Sequence, residues 1–405
     1  MMAKLNMTCL AGAAALMIAA PACAETIIVA PGEGAQERLQ EALILAEPGD
    51  EIRLAEGRFV LTDGLSLDVD SVILRGAGRN KSVLDFSAQR DAGEGLLITS
   101  DNVTLRDFAV ENTRGDGIKS KGADAIVYYR LRVEWTGGPL ETNGAYAVYP
   151  VESEDVLIDS VTVRGASDAG IYVGQSTNII VRNSVAEYNV AGIEIENSRN
   201  ARVFGNYVAH NTGGILVFDL PNLPVMGGGN VMVDHNLVIN NDVPNFAPAG
   251  NIVASVPMGS GIMVMANDNV AIENNVVDGN ATAGVLVVAY SQSYDDDRYD
   301  ALPRRVSVSD SNHFGNNGYA PDFPGGAMLA AAFGGNIPAV MWDGLGTDAL
   351  LADAEVPVLS LGYSEQGQGP ESARPDLVTG TVAAAEKVDA FSATHRADIE
   401  QRARP

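Results

Sequence analysis

Short aliphatic runs recur along the chain, and a glycine leads each of the clearest: Gly95-Leu96, Gly117-Ile118, Gly170-Ile171, Gly192-Ile193, Gly214-Ile215, Gly261-Ile262 and Gly284-Val285. Ala147-Val148 takes one place in the series, because Tyr149-Pro150-Val151-Glu152-Ser153 aligns with Tyr172-Val173-Gly174-Gln175-Ser176. With it, successive steps are 22, 30, 23, 22, 22, 47 and 23 residues. The first and third residues after each glycine are mostly aliphatic, as in Ile171 and Val173 or Ile193 and Ile195, the period of a strand with a buried face. A second strand follows after a short turn, as in Val156-Leu157-Ile158, Ile179-Ile180-Val181 and Val270-Ala271-Ile272, and a third lies beyond a polar corner. Units of this length can bury an apolar face only against the next copy, which makes a solenoid. Three strands per coil with one sense of progression predict an all-β, single-stranded, right-handed parallel β-helix.

Residues 35–46 put Leu39, Leu43 and Ala46 on one helical face and stop at Glu47-Pro48-Gly49-Asp50, predicting a helix that caps the first open coil. Two polar columns follow the corners. One reads Asp107, Arg130, Ser160, Ser184, Asn206, Asn236, Asn275, Asn312; the other reads Asn112, Trp135, Gly165, Asn189, Asn211, Asn241, Asn280, Asn317. Asparagine tolerates left-handed backbone and can bond to its copy in the next coil, so both are expected to be structural ladders. Insertions at 134–146, 219–230, 242–259 and 290–305 all enter or leave a glycine-led strand and should wall that face. The expected division is a leader over residues 1–24, the β-helix over 25–345, and a cap or partly disordered tail over 346–405.

The leader reading rests on Lys4, the apolar stretch from Leu10 to Ala20, and Ala22-Cys23-Ala24 before Glu25, the pattern of a cleaved secretory signal. It implies a periplasmic or extracellular protein. Ala20-Pro21-Ala22 matches a lipoprotein signal poorly, which disfavours anchoring at Cys23. Cys9 and Cys23 are the only cysteines, so the mature chain is expected to lack disulfides, thiolate nucleophiles and cysteine-bound metal. No later segment is apolar for long enough to suggest a transmembrane span. A net charge of −26 argues against nucleic acid and anionic membranes as partners.

The helix with Pro48-Gly49-Asp50-Glu51-Ile52-Arg53-Leu54, followed by Leu74-Arg75-Gly76-Ala77-Gly78, resembles the N-terminal part of pectate-lyase-like β-helix proteins. The segments from Gly165 to Ser176 and from Gly214 to Pro221 resemble something narrower, a family of exported parallel β-helix repeat proteins, with similarity running over residues 26–345. That family has no established activity to carry over; its members tend to be encoded beside another exported protein, which implies a partner. The wider superfamily includes lyases, epimerases and hydrolases that bind sugar chains on the outer face of the glycine-led sheet. The Asp-Pro-His-Asp of mannuronan epimerases and the Gly-His-Gly and Arg-x-Lys of polygalacturonases are missing from this sequence.

Outward positions on that sheet are the second and fourth after each glycine. They read Lys119/Lys121, Tyr149/Val151, Tyr172/Gly174, Glu194/Glu196, Leu216/Phe218 and Met263/Met265. Coils about 4.8 Å apart would make Lys119, Tyr149, Tyr172 and Glu194 consecutive neighbours. Elimination or epimerisation beside a carboxylate needs charge neutralisation and proton transfer. On this reasoning Lys119, Tyr172 and Glu194 are the candidate catalytic residues. Lys121, Tyr149, Gln175, Glu196, Phe218 and Asp219 are the candidate ligand contacts. Hydrolysis would instead use the Glu194/Glu196 carboxyl pair. No cofactor or metal is expected, the run Asp295-Asp296-Asp297 being the one place whose clustered oxygens suit calcium. The leading expectation is polysaccharide binding along this face, with lyase or epimerase chemistry favoured over hydrolysis if the protein is an enzyme. The alternative is a non-catalytic scaffold that docks an exported partner protein.

Overall fold

The computed structural model describes residues 24–91, 93–378 and 397–404. Most of the leader therefore lies outside the described residues, as does the tail segment 379–396. Among the described residues the strands form three stacked sheets, two of twelve strands and one of ten. Each coil contributes one strand to each sheet, and every pairing from coil to coil is parallel; the one antiparallel pair joins Val358–Ser360 to Asp376–Val378 at the C-terminal end. The glycine-led strands stack in one sheet in the register expected from sequence. Lys119 pairs with Tyr149, Tyr172 with Glu194, and Glu194 with Leu216. Coil strands continue through Leu350–Ala352 and Val358–Ser360.

The inward aliphatic residues make one continuous core along the axis, including Ile171, Val173, Ile193, Ile195, Ile215 and Val217. The helix Ala35–Leu45 closes its N-terminal end with Leu39 and Leu43, both fully buried. A C-terminal helix, Ala397–Arg402, returns to pack Ile399 against Val127, Leu157 and Ile180 on another sheet.

Both asparagine ladders are present, with one correction to their composition. Asn206, Asn236, Asn275 and Asn312 are linked by Nδ2 to Oδ1 bonds of 3.0 Å, and Asn189, Asn211, Asn241, Asn280 and Asn317 by bonds of 2.9–3.0 Å. The left-handed residue, however, precedes the ladder asparagine: Asn183, His235 and Asn274 in one column, Tyr188, His210 and Asn240 in the other. Asp107, Arg130 and Ser160 in the first column and Asn112 and Gly165 in the second occupy this left-handed step, Trp135 packs into the core, and none is linked to an asparagine ladder; the residues that follow the first three, Phe108, Leu131 and Val161, turn into the apolar core. The turn needs the positive φ, and the residue after it points inward, where an apolar side chain packs and a polar one must be fully hydrogen-bonded.

The insertions build a second apolar layer on the outer face of the glycine-led sheet. Val253 and Val256 from 242–259, Tyr290 and Tyr299 from 290–305, and Leu220 and Met226 from 219–230 pack with Leu216, Phe218, Met263, Met265 and Leu286. For much of its length this sheet is buried on both faces.

Candidate functional site

The expected strip from Lys119 to Glu196 is assembled, but it is not the open groove that outward alternation suggested. Tyr172, Glu194, Glu196 and Phe218 are buried, Glu194 with only 1 % of its surface exposed. The cause is the roof: strand geometry directs these side chains out of the coil, and the outer apolar layer built by 219–230, 242–259 and 290–305 covers that face.

Three tyrosines form the centre. Tyr146 and Tyr149 on the strand Tyr146–Val151 and Tyr172 on Ala169–Gly174 have ring centroids 4.5–4.9 Å apart. The Tyr172 hydroxyl donates to Glu196 Oε1 at 2.6 Å. Gly174 makes this possible, since a Cβ there would lie 2.4 Å from the Tyr172 ring and hydroxyl. Tyr146 and Tyr172 hold their protons well above the usual tyrosine range, mainly because they are buried and then because carboxyls surround them. Tyr149, less enclosed, is pushed up to about 12.

Around the tyrosines lie carboxyls that are reluctant to ionise. Asp168 Oδ2 accepts from Asn251 Nδ2 at 3.1 Å and from the Tyr146 hydroxyl at 3.4 Å. Burial, then the charge of Glu196, raises its pKa to about 7. Burial raises Glu196 to about 7 against the opposing Tyr172 bond. Glu194 is raised well above the carboxylate range by burial and by Asp168 and Glu196, and neither of its carboxyl oxygens has a hydrogen-bond partner. Asp219, on the turn after Gly213–Phe218, is raised to about 7 by burial, and its Oδ1 is also unpartnered.

At the N-terminal end of the strip the site opens. A cleft of about 280 Å³ is lined by Glu94, Arg114, Asp116, Asn143, Pro248 and Asn251, among others. Lys119 Nζ sits beside it, 3.0 Å from Glu94, 3.7 Å from Asp116 and 4.8 Å from the Tyr149 ring centroid. Asp116 accepts from the Tyr146 backbone N–H at 3.2 Å and is raised to about 6 by burial. The Lys119 charge is thus already engaged by two carboxyl groups.

The structure brings together Lys119, Tyr149, Tyr172, Glu194 and Glu196, with Asp219 at one end. It separates two other candidates. Lys121 is 56 % exposed at the side chain and faces Glu152 at 3.6 Å. Gln175 occupies a left-handed corner and accepts from the Val225 N–H, a loop-bracing contact. Phe218 belongs to the outer apolar layer. Asp296 of the aspartate run is turned onto Arg298 and the Asn222 N–H. Among the described residues, no three His, Cys, Asp or Glu side chains converge as metal ligands.

Tyr146, Asp116, Asp168 and Asn251 join the site without having been selected from sequence. Three of them precede the glycine or alanine from which outward positions were counted. Their signal was the local sequence Asp116-Gly117, Tyr146-Ala147 and Asp168-Ala169-Gly170.

The profile described as right handed beta helix region matches residues 71–223 and 136–320. The chain belongs to this family. Among solved structures, it is similar to the A-module of a mannuronan C-5 epimerase of Azotobacter vinelandii, with 14% identity and a TM-score of 0.52 over 81% of this chain and 94% of that one. It also aligns with an alginate lyase of a Paenibacillus species at 18% identity and TM-score 0.47, covering 74% of this chain and 97% of that one. An α-1,3-glucanase catalytic unit of Streptomyces thermodiastaticus aligns at 17% identity and TM-score 0.46, covering 82% and 62%. At these identities the likeness is one of right-handed β-helix fold. No curated protein matches the sequence.

Proposed function

We propose that this right-handed β-helix protein acts outside the cytoplasm and binds a glycan of uncharged sugars, entering at the cleft beside Lys119, Asp116 and Asn251. The observation that carries this reading is the opening itself, lined by Asp116, Asn143, Ser167 and Asn251 and backed by the proton-holding Asp168 and the Tyr149 ring, a set of hydrogen-bond partners for hydroxyls with an aromatic face behind it. The mannuronan epimerase of similar fold supports glycan binding in general by fold analogy, while its polyuronate substrate differs from the uncharged chain proposed for this cleft.

The same geometry moves the expectation away from polyuronide lyase or epimerase chemistry. Such a reaction needs a free cation beside the substrate carboxylate and a base that gives up its proton near neutrality. Lys119 is held by Glu94 and Asp116, which leaves Arg114 as the cation lining the cleft, and burial makes all three tyrosines weaker acids, so the base is what the site lacks for that chemistry. Protonated carboxyls suit the acid half of glycoside hydrolysis instead, with Asp168, reached through Asn251, as the more strongly protonated donor and Asp116, which lines the opening, as its partner. Calorimetric binding of the mature protein to uncharged and uronate oligosaccharides, followed by a reducing-end assay, tests the reading. Binding of an uncharged chain that Asp116→Ala weakens is expected; tighter binding of polyuronates overturns it.

Docking of an exported partner draws on a separate feature, an apolar groove of about 260 Å³ floored by Met263, Met265, Leu286 and Met341. Capture of a partner that Met263→Asp abolishes would favour that reading over glycan binding.

A further inference from the structure

Segment 242–259 leaves the coil at the corner after Asn241 and rejoins it at the strand Ser260–Met265. Its ends are fastened, with the Val243 N–H donating to Asn211 O at 3.2 Å and the Gly259 N–H to Thr212 O at 2.9 Å. Between these points it contains one short turn, Ile252–Ser255, and no strand. Asn245 braces the segment internally, donating to the carbonyls of Val253 and Val256. Its polar tie to the acid cluster is the single bond from Asn251 to Asp168; the rest of its hold is apolar, with Val253 and Val256 in the outer layer and Phe246, Ala247 and Ile252 packed against it.

Glu194 is buried with both carboxyl oxygens unpartnered, and its register neighbours Tyr172 and Leu216 pack in one apolar cluster with Val253 and Val256 of this segment. In the next two coils the same register position is filled by Leu216 and Met263, so packing alone is served there by apolar side chains. A buried carboxyl with no donor costs free energy that an apolar residue would not, and such groups call for a role beyond packing. The position is also connected to the outside. Asn251, which ties the segment to Asp168, lines the open cleft together with Pro248. A ligand entering the cleft therefore meets the side chain that bonds the roof to Asp168.

We propose that segment 242–259 is a lid over a second sugar subsite continuous with the cleft, in which the Glu194 carboxyl accepts hydroxyl donors of an uncharged glycan once the lid lifts. This rests on the glycan-binding reading above and extends it from the visible cleft to a closed part of the same face. Tyr172 and Glu196, already bonded to each other, form the neighbouring floor.

The test uses the full mature protein, a panel of uncharged hexasaccharides (cello-, laminari- and manno-hexaose), calorimetry, and hydrogen exchange of residues 242–259. Glu194→Leu is expected to weaken binding at least ten-fold while its thermal midpoint stays equal to or above that of the wild type. Asn251→Ala is expected to speed exchange across 242–259 without ligand and to raise the association rate. Saturating hexasaccharide should change exchange of the segment in the wild type. Full-affinity binding by Glu194→Leu, with segment exchange unaltered by ligand, overturns the lid while leaving glycan binding in place. If the wild type binds no member of the panel, the lid falls together with the reading beneath it.

Discussion

Replacing Asp168 by asparagine should change how stability depends on pH more than it changes stability itself. Asp168 is 5 % exposed and keeps its proton to about 7 in the fold, against a value of 3.8 for the free side chain. Between those values the unfolded chain has released a proton that the folded protein still holds. Stability from this group is therefore fully present below about pH 4 and is lost progressively as pH rises toward 7. Each tenfold change in proton affinity is worth about 1.4 kcal/mol, so the rise from 3.8 to about 7 amounts to roughly 4 kcal/mol. Asparagine keeps an acceptor for Asn251 and Tyr146 and carries no charge, so it escapes this loss. Urea unfolding at fixed pH should show Asp168→Asn within about 1 kcal/mol of wild type at pH 4.5 and roughly 3–4 kcal/mol more stable at pH 8. Other titrating groups act alike in both proteins and cancel in the difference, apart from Glu194 and Glu196, whose charging becomes easier when Asp168 cannot ionise. Parallel stability curves for the two proteins across this range would refute the claim that the cluster is protonated by burial.

Gly174→Ala would force its methyl into the Tyr172 ring and separate the hydroxyl from Glu196, at a cost of about 1–3 kcal/mol. Tyr172→Phe should cost a similar amount by leaving Glu196 without its donor, and the double variant should cost less than the sum; a strictly additive double variant would deny the link. Asn241→Ala removes the acceptor used by Asn211 and the donor used by Asn280, which should cost about 2–4 kcal/mol and speed amide exchange at both corners. A loss below about 0.5 kcal/mol would mean the ladder is dispensable.

Much of the site was legible because strand alternation is a local rule. Once the glycines were aligned, Lys119, Tyr149, Tyr172 and Glu194 had to fall on consecutive coils of one face, and their pairing follows that register. Exposure was misjudged because it depends on residues far away in sequence, with Asn251 reaching back to Asp168 and Tyr299 to Asp219. A warning was present in the residues themselves. From Leu216 and Phe218 through Met263, Met265, Leu286 and Val288 the outward positions are apolar, as expected of a sheet covered on both sides. The first members of the ladder columns fall one residue early because the corner has two steps, a left-handed one that is mostly polar and an inward one that is mostly apolar in the first coils and asparagine only in the later ones.

Read alone, the sequence determined the repeat, the three-sheet coil, the capping helix and which residues share the outer face, since each follows from short-range periodicity and from contacts between adjacent copies. The tertiary structure decided what that face presents to solvent. Three insertions, 219–230, 242–259 and 290–305, fold over a face whose alternation says nothing of what lies above it. Their covering converts a row of expected contact residues into a buried, proton-holding cluster, with one cleft at its N-terminal end and the Glu194 carboxyl unpartnered. Burial set by distant loops changes the charge state of carboxyls, and no local pattern of residues encodes that.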